Sequence, residues 1–246
     1  MPNMETPVRY RQFQQVLELQ GFYREGRGRE MHPNPCLYGS GWGSPIYSEH
    51  LKPITAALTN LEPSTLYNGD CHYLEIGCGG GRWTTIIAQK AERFDQMAFT
   101  VVDATPDAFA LTKRWLELIE LPLPTRELIC LDGMLMGIAD SSVDVVWCFD
   151  VFVHFDTALI ANYLQAVHRV LKPGGVLMAN FGCEFPGYPE WERSDLWFEY
   201  VCREERGRIF FYDPLFTVVE GLFRCEMPVP LRTGYGSTFF QMRKIA

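Results

Sequence analysis

The sequence predicts an α/β protein: a doubly wound, mostly parallel seven-stranded sheet with an antiparallel C-terminal edge, plus an N-terminal helical cap. Three observations predict it. Short apolar runs alternate with helix-spaced segments between residues 73 and 181, the pattern of a parallel sheet covered on both faces. The first run, 73–76, opens directly into a glycine-rich turn, Gly77-Cys78-Gly79-Gly80-Gly81, and then into a helix-like segment. Acidic residues close successive runs, at Asp103, Asp132 and Asp150, where the carboxyl ends of parallel strands face a ligand crevice. With 246 residues, the chain can bury one substantial core. It divides into an N-terminal cap or lid over 1–60 and a sheet domain over 61–246, with an aromatic-rich insertion at about 182–212.

The elements follow in order. Residues 10–19 have helical spacing through Phe13, Val16 and Leu17, and 50–61 through Leu51, Ile54, Ala57, Leu58 and Leu61. Between them, 26–45 is turn-rich and is followed by Tyr47; the stretch as a whole carries His32, Tyr38, Trp42 and Tyr47. Two readings stand for this region: a cap whose aromatics pack on the domain, or a lid over the site. After the glycine turn, 84–94 reads as a helix and 98–102 as the second strand. Thr105-Pro106 supplies an N-cap and a first-turn proline for the next helix, whose apolar face is Ala108, Leu111, Trp115, Leu118 and Ile119. Strands are predicted over 127–131, 143–149 and 176–181. The helix before the last of these is capped by Asp156 and stopped by Lys172-Pro173-Gly174-Gly175. The final third breaks the alternation, with a proline- and aromatic-rich loop over 182–193 and helical spacing over 194–206. Another helix is expected from Asp213-Pro214 to about 222, then strands over 225–231 and 237–243.

Composition narrows the function. The formal charge of −8 is a poor match to a nucleic-acid backbone, so none is expected as partner. None of the eight cysteines has CxxC spacing, and the histidines show no HExxH pattern, so neither a disulfide framework nor a metal site is expected. No apolar run approaches membrane-spanning length, and the N-terminus lacks a basic segment followed by an apolar one, so the default placement is cytoplasmic.

The glycine loop then discriminates between ligands. A dinucleotide fingerprint would need glycines at 77, 79 and 82, and position 82 is Arg. The acid instead lies inside the motif, as Glu75-x-Gly77-x-Gly79-x-Gly81. This resembles the first motif of the class I, Rossmann-like S-adenosylmethionine-dependent methyltransferases, and the resemblance covers about 70–182, with a weaker echo over 210–243. It implies S-adenosyl-L-methionine as cofactor. Glu75, Gly77, Cys78, Gly79, Gly81 and Arg82 would form its cradle, with Asp103 and Ala104 at the ribose and Asp132 and Gly133 at the adenine. Phe149 and Asp150 would lie along its methionine end. Glu75 has a second reading as partner of a core polar group, Trp83 reads better as packing, and Cys78 reads as a small filler.

Methyl transfer to an oxygen requires the acceptor to lose a proton, a task suited to a histidine of near-neutral pKa. His154 is the candidate general base, four residues after Asp150, so that one helical turn would set both on one side. Backbone hydrogen bonding, without proton transfer, is its other reading. Tyr38, Trp42, Tyr47, Glu184, Tyr188 and Trp191 are candidate walls of the acceptor pocket. The segment 149–155 resembles small-molecule and sugar O-methyltransferases more than nucleic-acid enzymes. The expected reaction is therefore O-methylation of a small molecule. N- or C-methylation and a non-catalytic binding protein are the alternatives, although a scaffold would not need the intact glycines and strand-end acids.

Overall fold

The computed structural model describes residues 56–57, 71–91, 97–118, 120–152, 155, 157–181, 202–205, 208–211, 219–231 and 237–245. The predicted helix at 10–19, the loop at 182–193, His154 and the six candidate pocket residues lie outside them. Ala56 and Ala57 are helical, within the helix expected at 50–61.

The alternation produces β1 (Cys71–Ile76), α1 (Arg82–Ala91), β2 (Met97–Asp103), α2 (Pro106–Leu118), β3 (Arg126–Ile129) and β4 (Val143–Cys148). Then come α3 (Thr157–Val170), β5 (Leu171–Phe181), β6 (Cys202–Glu205), β7 (Arg208–Phe211), β8 (Phe223–Leu231) and β9 (Ser237–Lys244). Seven strands form one sheet in the order β3-β2-β1-β4-β5-β9-β8. The first five run parallel, and β9 enters antiparallel between β5 and β8. The predicted doubly wound sheet with its antiparallel edge is therefore the observed one, while the expected N-terminal cap lies outside the described residues apart from 56–57. The strand order reverses at β1 and β4, so the crevice between their carboxyl ends is the topological switch point where ligands of such sheets bind.

Side-chain alternation explains how the sheet is covered. Leu74 and Ile76 of β1, Val146 of β4, Leu177 and Ala179 of β5, and Phe240 of β9 face one core with Leu164, Val167 and Val170 of α3. Tyr73, Phe99, Val101, Val145, Trp147, Met178 and Phe239 face the other, with Ile87 and Ala88 of α1 and Leu116 of α2. Both faces of β4 are buried, which is why its sequence reads as a continuous apolar run apart from Asp144. At the start of α2, the Thr105 hydroxyl accepts the Ala108 N–H at 3.2 Å, the predicted cap.

Two expectations are corrected. Helical spacing over 194–206 fails at its end, where β6 pairs antiparallel with β7 in a separate two-stranded sheet. Cys202 pairs with Phe211 and Glu205 with Arg208. A β-favouring Ile209-Phe210-Phe211 immediately downstream makes the local hairpin available, and strand pairing overrides the weak helical pattern. The fifth strand also begins at Leu171, earlier than the predicted 176. Leu171 pairs with Val143 and Val176 with Val145, so 172–175 is looped out of the ladder. Ser141 and Ser142 N–H groups bind the Arg169 and Val170 carbonyls at 3.0 and 2.8 Å, holding the chain beside β4 before the glycines are reached.

Candidate active site

The glycine loop is built by close approach. Gly77 has φ +75°, its N–H binds the Val102 carbonyl at 2.7 Å, and a Cβ there would lie 2.1 Å from Val151 Cγ2. Only glycine fits between β1 and the segment leaving β4. At Gly81, φ is +88° and a Cβ would press on the Thr112 backbone at 3.2 Å, so the loop lies tight against α2. The Gly81 carbonyl then accepts the Thr85 N–H at 2.9 Å and its hydroxyl at 2.7 Å, fixing the first turn of α1.

Four acids surround this loop in different states. Glu75 is fully buried; Thr84 Oγ1 donates to its Oε2 at 2.5 Å, while Oε1 has no hydrogen-bond partner. Burial, with the nearby Asp103 charge, pushes its carboxyl up to about 8. Asp103 clamps the loop to the end of β2. Its Oδ2 accepts the Gly79 N–H at 3.0 Å, and its Oδ1 accepts those of Ala104 and Thr105 at 2.7 and 3.2 Å. Burial raises its pKa, and these three N–H groups oppose the shift. The Cys78 thiol reaches Oδ2 at 3.7 Å, a weak contact. Asp132 is exposed after β3, its Oδ1 accepting the Met134 N–H at 3.0 Å. Asp150 is exposed beyond β4, with φ +56°, and is held by Asn180.

The remaining predicted residues take distinct positions. Ala104 contributes its N–H to Asp103, and Gly133 packs on α3, where a Cβ would meet Tyr163 and Asn162 at 3.0 and 3.1 Å. The Arg82 guanidinium lies 5.4 Å from the Trp83 ring centre. Phe149 points away from the crevice into an aromatic cluster with Trp83, Trp147 and Phe239, leaving its backbone as the part facing the loop between strands. Cys78 is buried, its thiol pKa driven well up by burial, which suits a filler and not a nucleophile. Sequence reasoning missed Thr84, Val151 and Asn180. For Asn180 a signal existed: it is the lone amide in the apolar run 176–181.

The donor set fits a cationic ligand. Carboxylates at Asp103 and Asp150 stand at the strand ends on either side of the loop, an arrangement hostile to a pyrophosphate and favourable to a sulfonium or ammonium group. The glycine cradle, which a Cβ at Gly77 would fill, admits the ligand's close approach.

A family model described as "Methyltransferase domain" matches residues 74–175, which span the glycine loop, the three strand-end acids and the looped-out start of β5. No curated protein matches the chain in sequence. Among solved structures, the N-methyltransferase NodS from Bradyrhizobium japonicum WM9, in complex with S-adenosyl-l-homocysteine, is similar at 14% identity and a TM-score of 0.58. That likeness covers 94% of this chain and 98% of NodS. The PH0226 protein from Pyrococcus horikoshii OT3 is similar at 15% identity and 0.57, covering 84% of this chain and 95% of that one. The [4+2]-cyclase SpnF is similar at 17% and 0.57, covering 93% and 92%. These likenesses share the fold, and a fold alone leaves the chemistry open. The domain match supports reading residues 74–175 as a methyltransferase domain, with S-adenosylmethionine as the cofactor such a domain uses.

Proposed function

We propose that the chain methylates a hydroxyl of a small molecule, with His154 accepting the proton and Asp150 orienting that histidine or the acceptor. The observation that carries this reading is the Asp150 carboxylate, exposed just beyond β4 across the switch point from the glycine loop and four residues before His154. Beyond it, the Phe155 N–H binds the Phe152 carbonyl at 3.2 Å.

The cofactor supplies a methyl group already activated by a sulfonium. The chain's own residues then have three tasks. The glycine loop with Asp103, Ala104, Asp132 and Gly133 holds the nucleoside, Glu75 braces the loop through Thr84, and Asp150 favours the cationic end. His154 takes the hydroxyl proton, the step an oxygen acceptor needs and a neutral amine does not. Tyr38, Trp42, Tyr47, Glu184, Tyr188 and Trp191 wall the acceptor pocket and exclude water, with 1–60 as the lid. The aromatic content of these segments favours a small organic acceptor, and the charge of −8 disfavours nucleic acid. Among the described residues no helix is long and apolar enough to cross a membrane. The described Cys71, Cys78, Cys130 and Cys148 are buried thiols outside any disulfide, which suits the reducing cytoplasm.

Calorimetric titration with S-adenosylmethionine and S-adenosylhomocysteine, with Asp103→Ala as control, tests the holding residues. Asp103→Ala should weaken binding about 100-fold through loss of the loop clamp and ribose contact. A screen of small hydroxyl and amine acceptors with methyl-labelled cofactor follows. His154→Ala should slow a hydroxyl acceptor about 100-fold and leave an amine acceptor nearly unchanged. Turnover only on amines or carbon would sink the hydroxyl reading, and cofactor binding without turnover on any acceptor would favour a binding protein.

A further inference from the structure

Asn180 lies in β5, on the register position after Ala179, which pairs with Cys148 at the end of β4. Its side chain is fully buried. Its Oδ1 accepts the Asp150 backbone N–H at 2.7 Å, and its Nδ2 donates to the Asp150 carboxylate Oδ1 at 3.0 Å. One side chain thus fixes both the backbone and the carboxylate of a residue held in the left-handed region, at φ +56°. The next residue, Val151, is the one against which Gly77 closes. The clamp therefore sets two things at once: the aim of the Asp150 carboxylate, and the width of the crevice between β1 and β4.

We infer that Asn180 is a positioning residue that aims Asp150 at the amino-acid end of S-adenosylmethionine. This rests on the reading that Asp150 meets the cofactor. The sheet order gives the direction. Asp103 and Asp132 lie on the β2–β3 side of the glycine loop, and Asp150 on the β4–β5 side. A ligand laid along the carboxyl edge, with its nucleoside at Asp103, therefore presents its other end to Asp150. That end carries an ammonium, which a fixed carboxylate recognises and a loosely held one recognises poorly.

Two ligands separate this role from mere structural support. S-adenosylhomocysteine has the amino-acid portion; 5′-methylthioadenosine keeps the nucleoside and thioether without it. Calorimetry on the full chain should show Asn180→Ala binding S-adenosylhomocysteine about tenfold more weakly, the size of one lost charge-assisted hydrogen bond, with methylthioadenosine within about twofold of the native protein. Asn180→Asp provides the second variant. It keeps the acceptor for the Asp150 N–H, and so the fold, and places a second carboxylate against the first. Its deficit for S-adenosylhomocysteine should shrink as pH falls, when a protonated Asp side chain donates as the Asn amide did. Equal losses for both ligands, or none for either, with native protein binding both, would overturn the inference and leave the cofactor assignment standing. Failure of the native protein to bind either ligand would remove the cofactor reading, and this inference with it.

Discussion

The two ends of the central strands hold buried polar clusters of opposite construction. At the amino end, the fully buried Asp144 receives the Lys172 ammonium on both oxygens, at 2.9 and 2.8 Å, and the His72 N–H at 2.7 Å. The His72 ring is equally satisfied: Nδ1 sits 3.2 Å from the Ser142 carbonyl, which makes it the donor, and Nε2 sits 2.8 Å from the Thr100 hydroxyl. At the carboxyl end, Glu75 keeps one buried oxygen without a partner, and Asp150 faces solvent. A saturated network ties strands together and has little left to offer a ligand. An unsaturated one costs folding energy and is explained by what it receives. The same strands carry both, so the difference lies in which polar groups the loops return to each end.

Three experiments break or sharpen that contrast. The largest effect belongs to the amino end: Lys172→Met strands the Asp144 carboxylate and should cost about 3 kcal/mol of stability in urea denaturation. Affinity for S-adenosylhomocysteine should not change; a loss would mean the two ends are coupled. Next, Gly77→Ala should cost about 2 kcal/mol, from the clash with Val151 and the left-handed backbone together. Adding Val151→Ala should recover the steric part and leave about 1 kcal/mol of backbone strain. No recovery would place the tight approach elsewhere.

The third is a pair of opposite pH limbs, read as the slope of stability against pH. Glu75, raised from 4.5 to about 8 by burial, stays protonated in the fold while the unfolded chain has lost that proton. Its contribution is full below pH 4.5 and is lost as pH rises through 8, so Glu75→Gln should flatten the alkaline decline. His72 is lowered from 6.5, chiefly by burial, so the unfolded chain takes the proton first. Its contribution is full above pH 6.5 and is lost as pH falls below it, and His72→Gln should flatten the acid decline. Melting curves across pH, for both variants, read the two limbs separately. A shared limb would show that the clusters titrate together.

Most of the sheet was legible because burial on both faces writes itself into sequence as short apolar runs, as at Val145–Cys148 and Val176–Ala179. The glycine loop was legible for a different reason: positive φ and a Val151 methyl where a Cβ would be leave one residue type. The Cys202–Phe211 hairpin was not, since its pairing depends on a partner segment and not on its own periodicity. Nor was the Asn180 clamp. A single amide in an apolar strand says that it has a partner, and the sequence does not say that the partner is thirty residues back in Asp150. The early start of β5 was hidden in the same way, in backbone bonds from Ser141 and Ser142 that carry no side-chain signature.

The insertion of β9 between β5 and β8 bears on how the chain folds. Phe181 pairs with Thr238 and Val176 with Arg243, so β5 gains its second neighbour only through contacts distant in sequence. A chain that has joined β1 to β5 without β9 carries an open strand edge lined by the apolar 176–179. Such an edge is a template for intermolecular pairing. Closing it brings together strands far apart in sequence, which slows folding. During refolding at high protein concentration, that interval is when chains compete with their own β9 for β5.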